Sequence, residues 1–409
     1  MPEQQGRNGT PATAVPWILV SADFRRQGGQ SKANAALADY LLSRGTPVHL
    51  VAHEWDDRFR RHPACVVHEV RRPFGVYFLD EFWLRRRSRR IVRRLVAANH
   101  SARVLVNGGC CDWSDINWVH YVHAGWSSVS ANQSLLARLK ETYAGYAFRR
   151  QERSALRHAR LVLANSQTTR QLLIDRVGLV PSRVHTVYLG SDPTWGPVDA
   201  AERKAARDWL GQPEHRPLVA FVGGLGHDQR KGFDTLWAAW RELCAAPDWD
   251  ADLVVAGGGA ASAVWQARIT EAGLAGRVRL LGFTDRVQDL LATADLLVSP
   301  ARYEPYGLNV QEAVCCGVPA LVSRRAGVVE QYPPDLADLI LPDPDDAGDL
   351  AARLRRWRPE RERWRQRFRP LSEQRRRYSW PEMAAEIVGL VESEQTASSA
   401  IESELVAQS

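Results

Sequence analysis

The stretch ARYEPYGLNVQEAVCCGVPALVS, residues 301–323, sets two glutamates, Glu304 and Glu312, on either side of a turn made by Gly307, Leu308 and Asn309. An apolar run ends at Ser299 before it. Val310, Ala313 and Val314 follow at helical spacing, which predicts a helix starting near Leu308. The first N–H groups of a helix have no partner inside it, and its dipole favours an anion at that end. The N–H groups of Gly307, Leu308 and Asn309 therefore read as a seat for phosphate. Glu304 ahead of the seat and Glu312 one turn inside the helix could each accept two hydrogen bonds from a vicinal diol. Dipole complementation alone would explain a glutamate near the helix start, but not the whole arrangement.

A second constellation is FVGGLGHDQRKGFDTL, residues 221–236, where a strand runs into a glycine-rich loop carrying Arg230 and Lys231. Two cations facing a helix N-terminus would clamp a diphosphate and stabilise charge on a leaving group. As simple helix-start residues they would oppose the dipole. In the first half, GGQSKANAAL follows the run WILVS, and Gly28 and Gly29 would let backbone approach a ligand closely. NWVHYVHAGW reads as a strand reaching His123. Residues three apart on a strand face opposite sides, so His120 and His123 are expected to point apart, which argues against a zinc pair. His123 would then lie at the strand's C-terminal end, where open α/β sheets bind ligands. In LGFTD, Phe283 and Thr284 could meet a nucleotide base through their backbone.

Short β-rich runs alternate with helical periodicity along the whole chain, which implies α/β architecture with parallel sheets. The expected strands are 17–21, 48–52, 65–70, 104–107, 117–123, 161–164 and 184–188, then 218–222, 253–256, 278–281, 296–299, 320–323 and 339–341. Between the two series LGSDPTWGPVD reads as a linker. The division expected is a flexible 1–15, a first domain 16–190, a second domain 191–378, a terminal helix 379–394 returning to the first domain, and a disordered polar tail 395–409.

The chain of 409 residues, 45% hydrophobic and 25% charged, is sized for two soluble domains. It contains no apolar run near the ~20 residues that span a bilayer. Its polar start lacks the apolar core of a signal peptide, so a cytoplasmic address is expected. The six cysteines include no C-x-x-C, and reduced structural thiols follow. Much of the net charge of +7 sits in LRRRSRRIVRRL, residues 84–95, just after FGVYFLDEFW. That helix is either a solvated face or a contact, with anionic lipid at the inner face of the membrane or with an acidic acceptor. No nucleic-acid partner is indicated.

Glu304-x7-Glu312, with GLN between, resembles the E-x7-E signature of glycosyltransferase family 4, retaining enzymes of the GT-B fold. The resemblance runs from the Gly28–Gly29 loop to the final YSWPEMAAEIV. It implies two facing Rossmann-like domains with the active site in the cleft between them. The second would hold a nucleotide-diphosphate sugar, with Glu304 facing the sugar and Glu312 the ribose. Lys231 matches the family's lysine. The family's usual cation directly after the first glycine is replaced by Gly224, so Arg230 is expected to stand in for it. His123 resembles the family's active-site histidine, close to the reacting sugar. The implied reaction is transfer of the sugar, with retention, to a hydroxyl of a small-molecule, saccharide or lipid-linked acceptor. Alternatives are a nucleotide-sugar-binding protein without activity, or a nucleotide-sugar epimerase on the same fold. No metal or other cofactor is expected. Asp248-Trp-Asp250 and Asp343-Pro-Asp345 imitate a metal motif but read as connecting loops, and VVAGGGAASA imitates a dinucleotide loop without its third glycine.

Overall fold

The computed structural model describes the backbone of residues 15–26, 28–73, 75, 77–126 and 135–407, and side chains there except at 77–78, 135–141 and 395–407. The segment 1–15 expected to be flexible thus lies, up to residue 14, outside the described residues.

Seven parallel strands form the first sheet: β1 (Trp17–Val20), β2 (Val48–Ala52), β3 (Cys65–Glu69), β4 (Arg103–Asn107), β5 (Ile116–Val119), β6 (Leu161–Ala164) and β7 (Val184–Thr186). Their order across the sheet is β3-β2-β1-β4-β5-β6-β7. Six more form the second: β8 (Leu218–Val222), β9 (Asp252–Ala256), β10 (Val278–Gly282), β11 (Leu296–Ser299), β12 (Ala320–Ser323) and β13 (Ile340–Leu341), in the order β10-β9-β8-β11-β12-β13. Strands buried on both faces need continuous apolar runs, and WILV, LVLA, LLVS and ALVS supply them, each residue buried. In each sheet the winding reverses beside the first strand, between β1 and β4 and between β8 and β11. Ligands of open α/β sheets bind at such switch points, past the strand C-termini.

The strand expected at 117–123 is shorter. It ends at Val119, and His123–Gly125 forms a single 3-10 turn. The backbone leaves the sheet because Val122 is drawn into hydrogen bonds with the other domain. Two long helices were not read from the sequence, Leu135–His158 and Ala347–Arg376. The second contains Pro359 and Pro370, which argue locally against a helix. Burial of Leu350, Leu354, Trp357, Trp364 and Phe368 overrides them.

The last helix runs Trp380–Ala407 and lays Met383, Ala384, Ile387, Val388 and Val391 into the core of the first domain, against Trp17, Leu37 and Leu41. Each buried aliphatic side chain contributes about 1.5–3 kcal/mol. The tail expected to be disordered from 395 is helical through Ala407. After Gly389 neither Gly nor Pro interrupts the chain, so nothing local stops a helix already nucleated. The two crossings between the domains are stitched together. Ser191 donates its N–H to Tyr378 at 2.9 Å and accepts that of Trp380 at 3.1 Å.

Candidate functional site

The loops after β1, β4, β5, β8 and β10 line one cleft, and the loop after β11 meets that after β8 through Glu304, which pairs with Lys231. The loop after β8 carries Arg230 and Lys231, and its shape is fixed from three sides. Gly232 takes φ 72°, and a β-carbon there would lie 1.9 Å from the Pro300 carbonyl oxygen, so only glycine fits. Arg302 donates its N–H to the Arg230 carbonyl at 2.8 Å. Its guanidinium holds both Asp234 oxygens at 2.7 Å and the Gln229 carbonyl at 2.6 Å. From below, the glycine triplet that imitated a dinucleotide loop braces this one. A β-carbon on Gly257 would stand 2.0 Å from the Gly223 oxygen, and Leu225 donates to Gly258 at 3.0 Å.

Lys231 forms an ion pair with Glu304. Just beyond Glu304 the helix Leu308–Cys315 begins, as the sequence predicted, with Gly307 as N-cap and no side chain capping it. Asn309 does not reach into the cleft through its amide, which donates to the Val222 carbonyl at 2.7 Å and ties the helix to β8. The helix Gly29–Ser43 starts opposite, and Gly29 lies so close to Leu308 that a β-carbon would touch its side chain at 3.7 Å. Gly28, its N-cap, lines the cleft with it. Gly224 sits on the Gly258 carbonyl, 3.7 Å from where its β-carbon would be.

Glu312 does not stand open for a ligand. Its Oε1 lies 2.5 Å from Lys32 Nζ, contributed by the first domain, and the ammonium sits 5.4 Å above the Trp195 ring. Burial pushes the Glu312 carboxyl up, and Lys32 works against that shift. Phe283 is 81% exposed at the cleft rim, a free aromatic face. The Thr284 hydroxyl turns back to accept the Arg286 N–H at 3.1 Å.

His123 faces the cleft from the first domain. Its ring stacks on Phe148 at 5.0 Å and 8°, and its backbone N–H reaches both oxygens of Glu152, at 3.0 and 3.2 Å. Phe148 and Glu152 are four residues apart on one helix, so a single face holds both ring and backbone. Burial, with Arg149 adding to it, brings the His123 pKa down to about 4, so the ring is neutral at neutral pH. Contrary to the strand-based expectation, His120 lines the same cleft. The alternation rule lapses because the strand ends before either histidine. His120 is brought to about 3 by burial, and both its ring nitrogens lack a partner among the described residues. Arg230 crosses toward these residues, 5.4 Å over the Tyr121 ring, with its nearest carboxylate, Asp228, 3.7 Å away. Its charge is thus less neutralised than that of Lys231.

The cleft encloses about 670 Å³. Its first-domain wall includes Asp23, Arg72, Glu81, Asn107 and Glu152, none of them marked by sequence reasoning. Burial raises the carboxyls of Glu81 and Glu152 to about 7, with Asp23 adding to the shift at Glu81. The D-x-D look-alikes are occupied otherwise: Asp250 pairs with Arg358 and Asp345 with Arg302, each at 2.5 Å. The domains meet next to the two central residues. Tyr303, before Glu304, accepts the Val122 N–H at 3.0 Å and donates to the Val122 carbonyl at 3.1 Å, and Val122 precedes His123.

Residues 27–195 match the family model described as Glycosyltransferase Family 4, and residues 202–372 the model described as Glycosyl transferases group 1. Among curated proteins, an alpha-maltose-1-phosphate synthase of Mycolicibacterium smegmatis is 32% identical over 215 residues, 50% of this chain and 54% of that one. A 2-deoxystreptamine N-acetyl-D-glucosaminyltransferase of Streptomyces fradiae is 30% identical over 221 residues, 50% of this chain and 48% of the other. The chain therefore spans about half the length of the curated relatives it matches. Among solved structures, the lipopolysaccharide glycosyltransferase WaaG superposes with TM-score 0.74 at 21% identity, covering 91% of this chain and 99% of that one. Anabaena HepE in complex with UDP-glucose superposes with TM-score 0.67 at 18% identity, covering 92% and 99%.

Proposed function

We propose, from the premise that this chain belongs to the GT-B glycosyltransferases matched by these two family models, that it moves a sugar from a nucleotide-diphosphate sugar to an acceptor hydroxyl, with retention. The acceptor class is a small molecule, a saccharide or a lipid-linked sugar. One observation carries the reading: an uncapped helix N-terminus behind Gly307, with Lys231 paired to Glu304 beside it and the neighbouring Arg230 reaching toward Tyr121 of the first domain. The helix end and two cations suit a diphosphate whose charge grows as the glycosidic bond breaks.

In this reading Lys231 and Arg230 neutralise the leaving diphosphate, and Arg230 supplies the cation that Gly224 cannot. Glu304 orients the sugar hydroxyls and Glu312 the ribose, once Lys32 has yielded. Phe283 lends its exposed ring to the nucleotide base. Neutral His123, held by Phe148 and Glu152, donates a hydrogen bond to the sugar rather than a charge. The acceptor hydroxyl attacks from the face the diphosphate leaves, and a departing phosphate oxygen takes its proton. No metal takes part, because the two cations and the helix end supply the positive field. The cytoplasm, where nucleotide sugars are at hand, is the expected compartment.

The rival reading, a nucleotide-sugar-binding protein without activity, draws on Gly224 alone. A panel of nucleotide sugars tests both, scored for binding and for acceptor-free hydrolysis. One donor should bind and be slowly hydrolysed, and Glu304→Gln and Lys231→Ala should each cut turnover by about 100-fold or more. Binding with no turnover under any condition would favour the rival. Absence of binding across the panel would sink both.

A further inference from the structure

We propose that the helix Tyr77–Ala98 is the face by which the protein docks on an anionic lipid surface. Asp80, Leu84, Ser88 and Val92 recur every four residues and are buried against the first domain. On the opposite side Leu79, Phe82, Arg86, Arg90 and Arg93 recur at three and four residues, forming one outward stripe. Its leading end is apolar, with Leu79 41% and Phe82 51% exposed. Its remainder is cationic. Arg86, Arg87, Arg89, Arg90, Arg93 and Arg94 are all exposed, and none pairs with a carboxylate among the described residues.

A second arginine-rich helix in the same chain shows what a merely solvated face looks like. Along Ala347–Arg376, Arg353 pairs with Asp349, Arg355 with Glu242, Arg358 with Asp250, Arg367 with Asp338 and Arg369 with Glu373. The stripe on Tyr77–Ala98 has no such neutralisation. Its acids are Asp80, which is buried, and Glu81, which lines the cleft. Arg87 lies 5.6 Å over the Trp83 ring, but six like charges held together without carboxylate partners repel one another, a cost offset when an anionic surface lies against them. Two exposed apolar side chains at the same edge distinguish a lipid surface from a soluble polyanion, since acyl chains accept Leu79 and Phe82 while arginines reach the headgroups. Among the described residues no helix is long and apolar enough to cross a membrane, so the contact is peripheral.

The test is flotation of the full chain with vesicles of phosphatidylcholine alone or mixed with phosphatidylglycerol. Binding is expected only to the anionic vesicles, and it should fall sharply as salt rises to about 0.5 M. The triple substitution Arg86→Glu, Arg90→Glu, Arg93→Glu should weaken it by more than about tenfold. Lysine at the same three positions should retain it, and the thermal midpoint should not change because the residues are exposed. Phe82→Ser should weaken vesicle binding but not binding to heparin. No binding to anionic vesicles at low salt would overturn the proposal. So would a Phe82→Ser variant that binds vesicles as well as the parent, which would leave a patch for soluble polyanions. Neither result bears on whether the cleft transfers sugars.

Discussion

Lys32 Nζ and Glu312 Oε1, 2.5 Å apart, join the two domains in a small pocket beside Trp195 and Leu308, and neither residue has much solvent to fall back on. Lys32→Met would strand a buried carboxylate, costing about 2 kcal/mol once the partial exposure of the pair is allowed for. Burial raises the Glu312 carboxyl, so the folded chain takes up that proton more readily than the unfolded one. The loss should therefore be full above the ordinary carboxylate range and fade as pH falls through it. Denaturant titrations at pH 7 and pH 4 would show this, and Lys32→Met with Glu312→Gln should recover part of the deficit. An equal loss at both pH values would mean that the pair is not the cause.

Arg302 is a positioning residue for the basic loop rather than a ligand of the donor. Lysine cannot reproduce its two-pronged hold on Asp234 together with the bond to Gln229. Arg302→Lys should lower kcat/KM for the donor by about tenfold. Asp234→Asn should do the same, and the double variant should be little worse than either. Steady-state kinetics on the three variants decide it; additive losses would break the proposed link.

His123 stays uncharged through the neutral range, so a bend in the rate profile near neutrality comes from another group. Glu152, raised to about 7, holds the His123 N–H through its carboxylate oxygens. It grips best when ionised, and kcat/KM should climb as pH rises through about 7. Glu152→Gln keeps an oxygen acceptor but cannot titrate, and should flatten that climb. If the bend persists unchanged, Glu81, raised to the same range on the facing wall, is the next group to replace.

Transfer should survive excess chelator. The positive field comes from Arg230, Lys231 and a helix end, and the nearest D-x-D carboxylate, Asp345, is spent on Arg302. Activity abolished by chelator and restored only by a divalent ion would overturn the mechanism.

The strands were legible because buried parallel strands must be apolar throughout. β2, β6, β8, β11 and β12 coincide with the runs read from the sequence. Glu304, Lys231 and the helix start at Leu308 were legible for a related reason: local spacing sets them. What sequence could not give was anything decided by residues distant in the chain. The partner of Glu312 lies 280 residues away. The strand toward His123 stops early because Tyr303 claims Val122, and the hold of Glu152 on His123 needs a helix that periodicity did not reveal. The first-domain wall gathers Asp23, Arg72, Glu81 and Asn107 from four separate segments, with no motif to announce them.

The double hydrogen bond between Tyr303 and Val122 has a bearing on timing. Each of its ends is one residue from a group used in the proposed mechanism, Glu304 on one side and His123 on the other. A donor meeting the second domain with that clasp undone would find its diphosphate seat intact but no histidine at its sugar. On the proposed mechanism such a donor would be shielded from wasteful hydrolysis while it waits, and would become reactive only when the clasp fastens. Tyr303→Phe, which loses both bonds but keeps the ring, is the smallest change that would let the two events fall out of step.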